Sequence, residues 1–161
     1  MSKRYVVSAC LAGVPCRYDG GCSPCAAVLE LVRAGEALPV CPEVLGGLPT
    51  PRTPSERRGS RVVAKDGTDV TAAFVRGAEE ALRLARAQGC AVAVLKARSP
   101  SCGSREIYDG CFTGVRVPGE GVFARLAREA GLRVESEETF EKEPEAIGPE
   151  ERGPEKAGGV C

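Results

Sequence analysis

Apolar residues along this chain mark out short strands alternating with amphipathic helices. The clearest rhythm runs through Phe74, Ala78, Ala81, Leu82 and Ala85. These fall at i, i+4, i+7, i+8 and i+11, one face of a helix with a period of about 3.6 residues. They predict a helix over residues 71–88, closed by Gly89 just past its last turn. The run Ala91-Val92-Ala93-Val94-Leu95 that follows is unbroken apolar, as in a strand buried on both faces of a parallel sheet. Residues 4–9 read as a first strand ending at Cys10, and residues 25–34 as a helix entered through Ser23-Pro24 and stopped by Gly35. Leu38-Pro39-Val40 is a second apolar run ending at Cys41, and the proline- and glycine-rich stretch 42–54 reads as loop. Residues 61–68, with their Lys65-Asp66-Gly67-Thr68 turn, predict a small hairpin. Residues 96–121 read as a long loop, 122–130 as a third helix before Gly131, and Leu132-Arg133-Val134-Glu135 as the last strand.

The order β-α-β-hairpin-α-β-loop-α-β predicts an α/β fold. The expected form is a small, mostly parallel sheet with helices on its faces, Rossmann- or flavodoxin-like, with the site at the carboxyl ends of the strands. The 161 residues suffice for one core without disulfide support. The expected organisation is one domain over 1–140 and a disordered acidic tail over 141–161. That tail is rich in Glu, Pro and Gly and nearly free of large apolar residues. Cys161 within it is expected to be an incidental thiol.

Charge narrows the function. Lys+Arg and Asp+Glu number 22 each, for a formal net charge of zero, whereas sequence-independent nucleic-acid binding draws on a cationic surplus. No uncharged stretch approaches the roughly 20 apolar residues of a spanning helix, and Met1-Ser2-Lys3-Arg4 runs into a strand, not a signal-peptide core. The expectation is a cytoplasmic protein, monomer or weak homodimer, with neither nucleic acid nor membrane as partner.

The chain has 9 Cys and 0 His. Without histidine there is no Ser-His-Asp triad, no Cys-His nucleophile and no His-containing zinc site. An odd cysteine count cannot be fully paired, and in a reducing compartment such thiols suggest metal or redox chemistry. Cys90, beside the apolar run 91–95, reads as a small buried hydrophobe. Two groups of the others compete. Cys10, Cys41 and Cys102 follow three separate strands, and a parallel sheet would bring their loops to one edge, a soft ligand set for a metal or an iron–sulfur cluster. Cys10, Cys16, Cys22 and Cys25 crowd the N-terminus instead. There Cys22-Ser23-Pro24-Cys25 is a C-x-x-C at a helix start, fit for a redox dithiol or half a zinc site.

Four ordered motifs carry a resemblance. They are Ser8-Ala9-Cys10-Leu11-Ala12-Gly13 with Cys16-Arg17-Tyr18-Asp19-Gly20; Cys41-Pro42-Glu43 with Gly46-Gly47-Leu48-Pro49-Thr50-Pro51-Arg52; Asp69-Val70-Thr71 through Gly77-Ala78; and Lys96-Ala97-Arg98-Ser99-Pro100-Ser101-Cys102-Gly103 with Ile107-Tyr108-Asp109-Gly110. From about residue 5 to 138 the chain resembles the thiouracil desulfidase family, once catalogued only as a domain of unknown function. The resemblance implies a [4Fe-4S] cluster held by Cys10, Cys41 and Cys102, with its fourth iron open to the thiocarbonyl sulfur of a thiolated pyrimidine. The implied reaction is a non-redox hydrolysis of 2-thiouracil to uracil and hydrogen sulfide. Cys22, Cys25, Cys90, Cys111 and Cys161 fall outside the motifs; Cys16 falls inside one, with its role open.

Such chemistry needs a base for water and a group to attend the intermediate. Glu43, two residues from a ligand, is the candidate base, and Ser101, adjacent to Cys102, the candidate donor or water-orienting hydroxyl. Lys96 and Arg17 are possible cations toward a pyrimidine oxygen, and Tyr18 and Tyr108 possible stacking surfaces. Two other classes stand beside this reading: a non-catalytic sulfur- or electron-transfer module, and a zinc-binding structural domain.

Overall fold

The protein was analysed as a computed structural model that describes residues 3–140. The expected tail at 141–161, with Cys161, lies outside the described residues. Four strands form one sheet: β1 (Tyr5–Ser8), β2 (Ala37–Val40), β5 (Val92–Leu95) and β8 (Arg133–Ser136). Their order is β2-β1-β5-β8 and every pairing is parallel. The chain therefore steps outward from β1 to one side first and to the other side afterwards.

Side chains alternate across these strands and build a core on each face. Tyr5, Val7, Val92 and Val94 pack with Val28 and Leu31 of helix α1 (Ala26–Arg33). Val6, Ala93 and Leu95 face Ala78, Ala81 and Ala85 of α3 (Thr71–Gln88) and Phe123, Ala124 and Ala127 of α4 (Val122–Glu129). The α/β sheet with helices on its faces is thus as the residue pattern predicts, and the helix over 71–88 has the expected bounds. Phe123 is wholly buried, which contributes about 2–3 kcal/mol of apolar transfer. Phe140 closes the described chain by packing edge-on against Tyr5, ring centroids 5.8 Å apart.

Two local expectations need correction, and the expected hairpin gains a strand. The stretch 42–54 is not all loop, because Pro42–Leu45 forms a short helix, α2, with Cys41 at its N-cap and Pro42 in the first turn. Proline is preorganised there, but a single turn is too short to show a period. The turn at 65–68 folds the chain back as expected: the Ala64 N–H donates to the Thr68 carbonyl at 2.8 Å, and Val63 and Asp69 form an antiparallel bridge. Strand β4 (Arg61–Ala64) pairs antiparallel with β3 (Ser55–Arg58), whose Ser-Glu-Arg-Arg sequence has no apolar alternation to reveal it. The long loop 96–121 contains a second small hairpin, β6 (Glu106–Tyr108) with β7 (Arg116–Pro118).

One close approach fixes α2. A Cβ on Gly77 of α3 would stand 1.7 Å from the Pro42 carbonyl oxygen, and one on Gly46 would stand 2.0 Å from the Ala73 carbonyl oxygen. Two facing glycines let the helices touch backbone to backbone, which sets the position of the Cys41–Leu45 turn on the end of β2. Among the described residues, no helix is long and apolar enough to cross a membrane.

Candidate functional site

Three loops leave the carboxyl ends of the adjacent strands β2, β1 and β5, and each carries a cysteine. Cys10 sits in the 3-10 turn Ala9–Ala12 after β1, Cys41 caps α2 after β2, and Cys102 lies in the turn after β5. All three line one cavity of about 620 Å³, together with Cys16, Glu43 and Ser101. Arg17, Tyr18, Lys96 and Tyr108 line it as well.

The Cys102 turn is fixed from several directions. Ser99 Oγ accepts the backbone N–H of Ser101 at 3.1 Å and of Cys102 at 3.0 Å. The Ser101 carbonyl accepts the N–H groups of Phe123 and Ala124, at 2.8 and 3.1 Å, in the first turn of α4. Gly121, at the N-cap of α4, permits this: a Cβ there would lie 2.4 Å from the Ser101 carbonyl carbon. Ser8 Oγ accepts the Lys96 N–H at 2.9 Å, and its hydroxyl hydrogen-bonds to the Cys102 sulfur. Since a hydroxyl has one proton to donate, this arrangement ties the ends of β1 and β5 to the thiol.

Ser101 is 1% exposed, and its hydroxyl oxygen has no hydrogen-bond partner among the described residues. Leaving a buried hydroxyl unpaired costs about 1–3 kcal/mol. Glu43, in the first turn of α2, accepts from Arg52 Nε at 2.8 Å through Oε1. The same guanidinium donates to the Cys16 carbonyl at 2.7 Å and to the Pro49 carbonyl at 3.0 Å. One arginine thereby joins the Cys16 loop to the Cys41–Glu43 turn.

The thiols differ sharply in acidity. Burial pushes Cys10 up to about 11, and burial likewise pushes Cys102 up. Cys16 and Cys41 share a hydrogen bond; it is the largest cause that raises Cys16 and the largest that lowers Cys41, to about 6. As a thiolate, Cys41 also accepts the Val44 N–H; as a thiol, it reaches the Cys16 carbonyl only weakly, at 3.8 Å. Cys16, whose role the sequence leaves open, is therefore a neighbour of a candidate ligand, and its only advance signal is its place inside the first motif. Arg52 stands in the second motif with no role suggested by its spacing. Glu56 and Phe112 also line the cavity, and nothing in the sequence pattern singles them out.

The rival C-x-x-C does not join this site. Cys25 caps α1 as a free thiol packed against the core, outside the cavity lining. Cys90 is half-buried against the other core face, where desolvation raises it, in keeping with a small hydrophobe.

Soft donors with no imidazole or carboxylate among them suit iron–sulfur chemistry. Among the described residues, no three Cys, Asp or Glu side chains gather tightly enough to chelate one ion.

Comparison with known proteins gives concordant results. The family model of 2-thiouracil desulfurase matches residues 5–139. The chain is 40% identical over 142 residues to the uncharacterized protein YbbK of Bacillus subtilis (strain 168), covering 82% of this chain and 94% of that one. A solved structure of a [4Fe-4S]-dependent thiouracil desulfidase, TudS, superposes with a TM-score of 0.82 at 51% identity, covering 86% of this chain and 93% of its own.

Proposed function

The chain belongs to the 2-thiouracil desulfurase family, and from that premise we propose that it removes sulfur from a thiolated pyrimidine, converting 2-thiouracil and water to uracil and hydrogen sulfide without net redox change. The observation that carries the reading is the meeting of Cys10, Cys41 and Cys102, from three neighbouring strand ends, in one cavity with Glu43 and the orphaned Ser101 hydroxyl. Cys10, Cys41 and Cys102 hold a [4Fe-4S] cluster. When bound, that cluster supplies an open iron, a soft Lewis acid toward the thiocarbonyl sulfur.

The chain's own groups do the rest. Glu43 accepts a proton from the attacking water, while its Oε1 is engaged by Arg52. Arg52 holds the carboxylate in register with the Cys16 loop. Ser101 donates its unpartnered hydroxyl to the pyrimidine or orients the water. Lys96, paired with Glu137 at 3.2 Å, lines the cavity wall, where its ammonium can meet a pyrimidine oxygen. As the C–S bond breaks, Glu43 returns its proton to the departing sulfur and takes up the proton of the added hydroxyl as the carbonyl forms, passing it to the same sulfur to complete hydrogen sulfide.

The test is anaerobic. Protein reconstituted with iron and sulfide is expected to show broad brown absorbance and to release one sulfide per uracil formed from 2-thiouracil. Colourless protein that holds stoichiometric zinc and releases no sulfide rejects the reading.

A further inference from the structure

The chain has 3 Tyr, 4 Phe and 0 Trp. Tyr5, Phe74, Phe123 and Phe140 are buried in the core. The remaining three aromatics, Tyr18, Tyr108 and Phe112, all line the cysteine cavity. No aromatic side chain is left on unrelated surface. A wall that gathers every ring the core does not use is suited to a flat ligand.

Phe112 stands apart from the two tyrosines. It has a φ of 59°, a left-handed conformation that a bulky side chain adopts only under constraint. The constraint is visible. Glu56 Oε1 accepts the backbone N–H of Gly110 at 2.9 Å and of Phe112 at 3.1 Å, and Arg58 Nη2 donates to the Gly110 carbonyl at 2.6 Å. Strand β3 thus clamps the turn before β7. The strain does not serve packing, because Phe112 belongs to neither core cluster and remains partly exposed. Only one other non-glycine residue among those described has a positive φ, Arg98, and it lines the same cavity. Tyr18, by contrast, is 42% exposed with the Arg17 guanidinium 6.0 Å from its ring centroid, so part of that ring is already occupied.

We infer that Phe112 is the face on which the pyrimidine ring packs, and that Glu56 is the positioning residue that holds it there. This deepens the thiolated-pyrimidine reading and rests on it. Base–aromatic stacking is insensitive to the ring's edge substituents but needs a planar ring. The site should therefore discriminate between uracil and its non-planar 5,6-dihydro analogue.

The experiment measures sulfide release from 2-thiouracil by cluster-loaded protein, with uracil and 5,6-dihydrouracil as competing inhibitors. In Phe112→Leu the KM is expected to rise about tenfold, the scale of one lost stacking contact, with kcat and iron content little changed. The preference for uracil over 5,6-dihydrouracil should collapse in Phe112→Leu and persist in Phe112→Tyr. Glu56→Ala, which leaves the ring intact, is expected to reproduce the collapse, and Glu56→Gln, which retains an acceptor oxygen, to restore it. Glu56→Ala also carries the test if Phe112→Leu does not fold. Unchanged KM and unchanged inhibitor preference in Phe112→Leu and Glu56→Ala overturn the inference alone. A wild-type protein that releases no sulfide overturns the substrate reading and the inference with it.

Discussion

Arg52 donates through Nε to Glu43 Oε1 at 2.8 Å, and the two side chains are only 7% and 16% exposed. The pair is sheltered, and its arginine also serves the Cys16 and Pro49 carbonyls. Truncating it leaves a carboxylate and two carbonyls without their donor. Arg52→Leu is expected to lower unfolding free energy by about 3 kcal/mol, the usual scale for breaking a sheltered ion pair from one side. Urea denaturation checks this. A loss below about 1 kcal/mol would place the pair among surface bridges of little weight.

Glu43→Gln keeps the shape of the side chain and its bond to Arg52 while removing proton acceptance. We expect sulfide release to fall on the order of 10²–10⁴-fold, the range for a positioned general base, with iron content unchanged. Ser101→Ala removes a buried hydroxyl that has no partner to lose, so the fold should be as stable or slightly more so. Its rate loss is expected to be milder if the hydroxyl only orients water and comparable if it relays the proton. Near wild-type turnover in Glu43→Gln would return the carboxylate to a structural role beside Arg52.

The sheet and the cysteine cavity were legible because both follow from short-range patterns. The runs ending at Cys10 and Cys41 and the apolar strand before Lys96 are strands by periodicity, and parallel order alone brings their ends together. The β3–β4 and β6–β7 pairings were not legible for the opposite reason. Strand β3 is Ser-Glu-Arg-Arg, and its pairing is decided by what Glu56, Arg57 and Arg58 grip elsewhere. Glu56 reaches the turn at 110–112, and Arg57 donates to the Glu120 carbonyl, at 2.5 Å. These bonds span more than fifty positions, and no local pattern records them. Cys16 escaped assignment likewise, because its contact with Cys41 crosses between loops.

Ligation is decided by counting iron. Cys10→Ala, Cys41→Ala and Cys102→Ala are each expected to lose most cluster iron in anaerobically prepared protein. Cys25→Ala and Cys90→Ala, outside the cavity lining, should retain it. Cys16→Ala is expected to keep iron while altering the cluster's electronic spectrum, because its sulfur contacts Cys41. A full cluster in Cys41→Ala and an empty one in Cys25→Ala would reverse the choice between the two cysteine groups.

Asp69 ties the third motif to stability. Its Oδ1 accepts the Thr71 N–H at 2.9 Å at the start of α3, and Arg61 meets its other oxygen at 2.8 Å. The Thr71 bonds first, and Arg61 second, hold its carboxyl down at about 2. A carboxyl depressed in the folded state adds stability above its unfolded value and loses it as pH falls through the folded one. Wild-type protein should thus exceed Asp69→Asn in urea midpoint at pH 7, with the gap closing between about pH 4 and about pH 2. A gap of constant size across that window would show that the charge is not its source.

Gly77 links the packing of a helix to the chemistry of a thiol. Its missing Cβ leaves the place taken by the Pro42 carbonyl, which a methyl would approach to 1.7 Å. That carbonyl is backbone at the head of α2, so it cannot rotate aside. The helix must move, and with it Cys41 at the N-cap and Glu43 two residues on. Overpacking of this kind typically costs about 1–3 kcal/mol, and Gly77→Ala is expected to reach the upper end because backbone, not side chain, must yield. The same displacement draws Cys41 away from Cys10 and Cys102, so iron content should fall in samples that remain folded by circular dichroism. Gly59→Ser supplies the control: its Cβ has nothing within 4 Å, and although its positive φ costs some stability, it lies away from α2 and should leave iron in place. Gly77→Ala with full iron and normal sulfide release would show that the cysteine turn is positioned by β2 alone.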